Sequence, residues 1–130
     1  MYPKDMKYTE SHEYAKIEGK QATCGITAYA AEQLGDIVFV ELPAVGTAVT
    51  AGKPFGVVES VKAVSDCYAP VSGKVVKAND KLNDDPAVVN ADPHGAGWMI
   101  VIEMSNPSEA DKLMGVDAYE KHAAAGGGHH

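Results

Sequence analysis

The chain has 130 residues, 45% hydrophobic and 22% charged, the makeup of one globular domain and not of a disordered or fibrous chain. Its formal net charge of −7 argues against nucleic acid as a partner, because that role needs clustered Lys and Arg; an acidic surface suits solubility and docking onto basic patches of other proteins. No run approaches the ~18 apolar residues of a membrane span, and Cys24 and Cys67 stand far apart with no metal-site or redox spacing, so both read as buried reduced thiols in a reducing compartment.

In chain order, Tyr14 to Glu18 alternates as a strand, Gly19-Lys20 turns, and Gln21 to Ile26 is a second strand. Thr27 sits where an N-cap belongs, Ala28 to Leu34 reads as a short helix, and Gly35 is its stop. Asp36 to Leu42 is a β-branched strand ended by Pro43, and Thr47 to Thr50 extends briefly before Gly52. Lys77 to Asp85 reads as loop, with a short helical turn beginning around Pro86. Trp98 to Ser105 is the last strong strand. Asn106, Pro107 and Glu109 then give a helix start that runs out at Leu113 to Gly115, and Asp117 with Glu120 opens a final helix to about His122. Many short strands with Gly and Pro turns and a few small helices predict a mainly β domain over residues 1–122, a flattened barrel or sandwich. Residues 123–130, AAAGGGHH, read as a flexible tail or a tag remnant.

Within this frame one stretch stands out, Phe55 to Val76. Phe55 to Val58 is an apolar strand and Ala63 to Tyr68 a partly alternating one. Pro70 and Gly73 force a further turn before Lys74 to Lys77 resumes the extended pattern. The turn between the first two strands carries Lys62. Most surface lysines are solvated charges. Here the neighbours are Ser60, Val61, Ala63 and Val64, which leave the amine accessible, with Glu59 and Asp66 one step further out. A lysine at a hairpin tip has a fixed backbone and a free side chain, the geometry of a covalently attached swinging arm.

Other constellations carry less. Asp80, Asp84, Asp85, Asp92 and His94 fall in one window but fit no calcium-loop or His-x-x-x-His spacing, so a solvated loop is expected and no metal. Gly95 and Gly97 make no phosphate cradle. Ser11, His12 and Glu13 have no nucleophile elbow, and adjacent residues of an extended chain cannot all meet at one point, which excludes a catalytic triad.

The words VESVKAVSD and APVSG resemble the attachment hairpin of a lipoyl domain, and a wider match is to the glycine cleavage system H protein family. Lys7-Tyr8-Thr9, Ser11-His12-Glu13, Gly25 to Gly46, Val89 to Pro93 and Gly97 to Ile100 carry that resemblance from about Lys7 to about His122. It implies a lipoyl-type flattened β-barrel and a carrier that is not an enzyme, with lipoate in amide linkage to Lys62. It implies that the arm takes an aminomethyl group from a pyridoxal-phosphate glycine decarboxylase to a tetrahydrofolate-dependent aminomethyltransferase, and is reoxidised by a flavin dihydrolipoyl dehydrogenase. A lipoate–protein ligase or a lipoyl or octanoyl transferase would load Lys62, with Glu59 a candidate recognition residue. Residue by residue, the family's adduct cleft falls on Ser11, Glu13 and Asp66, where carboxylates and a hydroxyl stabilise the protonated amine. Tyr14 stands where the family usually has tryptophan, and Ala69 where some members have a hydroxyl. The location implied is the bacterial cytoplasm, or the mitochondrial matrix after removal of a presequence.

Three alternatives stay open on sequence. The lipoyl domain of a 2-oxoacid dehydrogenase acyltransferase lacks the Ser-His-Glu segment and the C-terminal helices, and a biotin carrier typically sets its lysine between methionines, where Lys62 has Val61 and Ala63. A lipoyl donor that relays the group to other complexes has the same sequence signature. A plain sandwich with an unmodified lysine comes last.

Overall fold

A computed structural model describes residues 2–125. The strands are β1 (Lys7–Tyr8), β2 (Glu13–Glu18), β3 (Gln21–Ile26), β4 (Ile37–Glu41), β5 (Ala48–Val49), β6 (Pro54–Ser60), β7 (Val64–Tyr68), β8 (Gly73–Ala78) and β9 (Ile100–Met104). Helices are α1 (Ala28–Leu34), α2 (Lys81–Asp84), α3 (Val88–Ala91) and α4 (Val116–Ala124), with a 3₁₀ turn at Pro107–Lys112. A six-stranded sheet runs β1-β2-β3-β9-β8-β5 and a three-stranded sheet runs β4-β6-β7. Every pairing is antiparallel. Between the sheets lie Ala15, Cys24, Val40, Phe55, Val58, Cys67, Val75, Ile100 and Ile102, all buried, one core of β-branched and small side chains. The expected flattened β-barrel with peripheral helices is the observed fold.

Local chemistry explains most boundaries. Thr27 caps α1, its hydroxyl accepting the Ala30 N–H at 3.2 Å, and Gly35 closes it at φ 80°, a conformation that costs a side-chain-bearing residue. Elsewhere tertiary contacts override local signals. Glu109 leaves the capping role expected of it: its carboxylate accepts the Ser72 N–H (2.7 Å) and Ser72 hydroxyl (3.0 Å), and the segment is a 3₁₀ turn, not an α-helix. Part of the expected Lys77–Asp85 loop is α2, seated by the fully buried Leu82. The turn expected at Pro86 is present, Pro86 O accepting the Val89 N–H at 3.1 Å, and it leads into α3 at Val88. The last helix starts after Gly115, with Asp117 already inside it, and runs past His122 through Ala124. Ala123 is buried in that helix, so the first two residues of the expected tail belong to the fold; residues 126–130 lie outside the described residues. A second small core joins the chain ends: Met6, Tyr8, Tyr14, Tyr119 and Ala123, with Tyr8 stacked on Tyr119 at 4.6 Å.

Candidate functional site

Lys62 sits at the turn between β6 and β7, in the smaller sheet, and is exposed. The tip around it is fastened from several directions. Ser60 N–H donates to Ala63 O at 2.8 Å, and the Ser60 hydroxyl oxygen accepts the Lys62 N–H (3.2 Å) and the Ala63 N–H (3.1 Å). Val61 N–H donates to Asp36 O at 3.0 Å, tying the tip to the start of β4. That junction is itself held by Asn90 of α3, whose amide donates to Gly35 O and accepts from Ile37 N–H, both at 2.9 Å. The Lys62 stem lies over Gly35, where a Cβ would stand 3.5 Å from the lysine Cε. Backbone and stem are thus placed by neighbours while the amine is left to solvent. Glu59, half-buried, is the last regular pair partner of β7 before the turn, opposite Val64.

Ser11 and Glu13 come together at the other end of β7. The chain from Thr9 to His12 turns and is not extended, because His12 adopts φ 72°. The turn sends His12 one way, its Nδ1 2.7 Å from the Tyr119 hydroxyl, and brings Ser11 and Glu13 together on the other. Glu13, 2% exposed, accepts the hydroxyls of Ser11 (2.5 Å) and Thr9 (2.7 Å) on Oε1 and the Tyr68 N–H (3.1 Å) on Oε2. One buried carboxylate therefore joins β2 of the large sheet to the free edge of β7. Burial pushes its pKa above the ordinary carboxyl value, while the hydrogen bonds from Ser11, Thr9 and Tyr68 pull the other way.

Asp66 is not drawn into this cluster. It is exposed, stands opposite Val57 in register, and lies two residues nearer the tip than Tyr68. Sequence reasoning missed Thr9, Asn90 and Tyr119 as supports of the site. Only the local Thr9-x-Ser11-x-Glu13 spacing carried a signal, since the other two act across the fold. Of the acidic window, Asp92 accepts the Ala96 N–H (2.9 Å) and His94 Nε2 accepts the Ala28 N–H (3.0 Å). Among the described residues no group of three or more His, Cys, Asp and Glu is arranged to hold a metal ion. Burial pushes the Cys24 and Cys67 thiols up, which leaves them inert.

The glycine cleavage H-protein family model matches residues 6–125. This chain belongs to that family. It is 56% identical over 117 residues to the glycine cleavage system H protein of Myxococcus xanthus, covering 90% of this chain and 91% of that one. It is 55% identical over 118 residues to the mitochondrial glycine cleavage system H protein 2 of Arabidopsis thaliana, covering 91% of this chain and 76% of the relative. Its fold is similar to the crystal structure of a glycine cleavage system H protein from Mycobacterium marinum, with a TM-score of 0.86, 41% identity and coverage of 94% and 98% of the two chains. As a member of the H-protein family the chain is a lipoyl-carrier component of glycine cleavage, working with the other components of that system, and is not itself a catalyst. The family holds its lipoate covalently on a lysine. No described helix is long and apolar enough to cross a membrane.

Proposed function

We propose that Lys62 is the lipoylated residue. On this reading the chain carries the aminomethyl group of glycine from a pyridoxal-phosphate decarboxylase to a tetrahydrofolate-dependent aminomethyltransferase, and then presents the arm to a flavin dihydrolipoyl dehydrogenase. A lipoate–protein ligase or a lipoyl or octanoyl transferase loads it, in bacterial cytoplasm or in a mitochondrial matrix. The observation that carries this reading is an exposed amine on a tip whose backbone N–H groups from Ser60 to Ala63 are all hydrogen-bonded. When bound, the lipoyl disulfide supplies the oxidant and the acceptor sulfur; the chain supplies presentation and a resting place.

Ser11 and Glu13 suit that resting place. The Glu13 carboxylate holds Ser11 and Thr9 on Oε1 and Tyr68 on Oε2, and an approaching ammonium would share Oε2 with the Tyr68 N–H. Ser11 Oγ, donating to Glu13, keeps lone pairs that accept from the same group. β7, five residues at ~3.3 Å each, spans about 17 Å between the tip and Tyr68. An extended lipoyl-lysine reaches about 15 Å from its Cα, so an arm laid along the β7 edge ends near Asp66 and Glu13. Asp66, exposed on the way, serves as an outer carboxylate for the same amine.

The test is intact mass after incubation with lipoate, ATP and a lipoate–protein ligase, with Lys62→Arg run beside the parent. The parent gains a lipoyl group and the variant does not. Equal gain on Lys62→Arg would overturn the assignment.

A further inference from the structure

The outward face of the lysine-bearing sheet does not resemble an ordinary solvated face. Residues opposite one another in register share a face. Phe39, Glu59 and Val64 form one row across β4, β6 and β7, and Glu41, Val57 and Asp66 another. Between them Val40 and Val58, 1% and 0% exposed, turn into the core. The outward rows therefore alternate apolar and acidic, and neither contains Lys or Arg.

The β4 edge strengthens this pattern. A regular strand that buries Ile37 would bury Phe39 as well, two residues on. The register shift between Ile37 and Phe39 breaks that phase, and Val38 and Phe39 both turn outward, 55% and 46% exposed. With Val61 and Val64, each 69% exposed, they form an apolar collar beside Lys62. Among the described residues no further strand pairs with β4 on its other side. Two large apolar side chains exposed on a terminal strand are a solubility liability, which makes a recognition role the natural account of them.

What covers this face follows from where it lies. An enzyme acting on the Lys62 Nζ must seat its acyl donor on the tip and so covers the adjoining rows. An enzyme acting at the end of a loaded arm stands about 15 Å further out. We infer that the outward face of β4, Val38, Phe39 and Glu41, is part of the docking surface for the enzyme that acylates Lys62, through an apolar patch on that enzyme rimmed by Lys and Arg. The inference rests on Lys62 as the attachment point. The reaction served is acyl transfer from an acyl adenylate: the amine nitrogen bonds to the acyl carbon, the bond from that carbon to the phosphate oxygen breaks, AMP leaves, and the amine gives a proton to solvent.

The experiment measures steady-state acylation by a lipoate–protein ligase with lipoate and ATP, read by intact mass. The substrates are the parent chain, Val38→Thr/Phe39→Thr, which keeps β-branched residues in the strand, Glu41→Lys, and Lys62→Arg. We expect KM for the carrier to rise about tenfold in the double variant with kcat within about twofold, and to rise in Glu41→Lys with a weaker dependence on salt. Circular dichroism confirms the folds, and reaction of Lys62 with a small activated ester, unchanged in both β4 variants, shows that the amine itself is unaltered. Should the double variant fail to fold, the exposed Glu41→Lys decides. Unchanged kcat/KM in folded β4 variants, with Lys62→Arg inert, overturns the docking surface and spares the attachment site. Normal acylation of the double variant followed by impaired glycine–bicarbonate exchange with the decarboxylase gives the face to that enzyme and equally overturns the inference. Acylation of Lys62→Arg removes both readings.

Discussion

Replacing Glu13 tests whether one buried carboxylate holds β7 against the large sheet. Glu13→Ala leaves the Tyr68 N–H without its acceptor, a loss of about 1–3 kcal/mol. The Ser11 and Thr9 hydroxyls, only partly buried, return to water, and removing a buried carboxylate recovers some desolvation cost. The net is about 2 kcal/mol, a fall in Tm of about 7 °C for a chain of this size. The pH dependence gives the sharper check. Burial raises the folded pKa of Glu13 above the ordinary carboxyl value of 4.5, so the folded state binds its proton more tightly than the unfolded chain does. Its contribution is then fully present below 4.5 and is lost as pH rises through the folded value. The Ala deficit should therefore be larger near about pH 4 than near about pH 8. Glu13→Gln separates shape from charge: its carbonyl can accept the Tyr68 N–H while its amide donates to the two hydroxyls, and it stays neutral throughout. It should match or exceed the parent near about pH 8 and flatten the pH dependence in that window. Thermal melts followed by circular dichroism across this range decide the matter. An Ala deficit that grows with pH, or a Gln variant as unstable as Ala near about pH 8, would refute the reasoning.

Gly56→Ala places a Cβ 2.5 Å from the Glu41 backbone oxygen, so β4 must move from β6; we expect the urea midpoint to show a loss of about 2 kcal/mol or more, and a loss below about 0.5 kcal/mol would mean that the pairing yields freely. Tyr119→Phe deletes the hydroxyl that lies 2.7 Å from His12 Nδ1 and 2.6 Å from Thr27 Oγ1, and the same denaturation should report a loss of about 1–3 kcal/mol, with a neutral result showing that this hydroxyl is not what holds His12.

The legible part of this molecule was the part written locally. β3, α1 and the lysine hairpin follow from alternation, a threonine cap and paired turns, all signals contained within a few residues. β1 was missed because Lys7–Tyr8 is two residues long, and its order comes from pairing with β2 and from Tyr8 bonding Met114. α2 lay in a polar run where only Leu82 betrays a buried face. The same distinction governs the site. Lys62 could be placed at a tip from its flanking strands, and resemblance drew attention to Ser11 and Glu13. That Glu13 spends an acceptor on Tyr68 and that Asn90 braces the tip from α3 depends on contacts spanning tens of positions, and the local bond from Thr9 forms around a left-handed His12 that has no pattern of its own.

The position of β9 has a consequence for synthesis. It follows the other described strands in the chain, Ile100–Met104, yet it lies in the interior of the large sheet between β3 and β8. Until those residues emerge, β1-β2-β3 and β8-β5 have no strand in common. A chain released before Ile100 presents two naked strand edges that were meant to be central, a template for intermolecular pairing. Ribosome stalling just before Ile100 therefore leaves most of the large sheet made but its two halves unjoined.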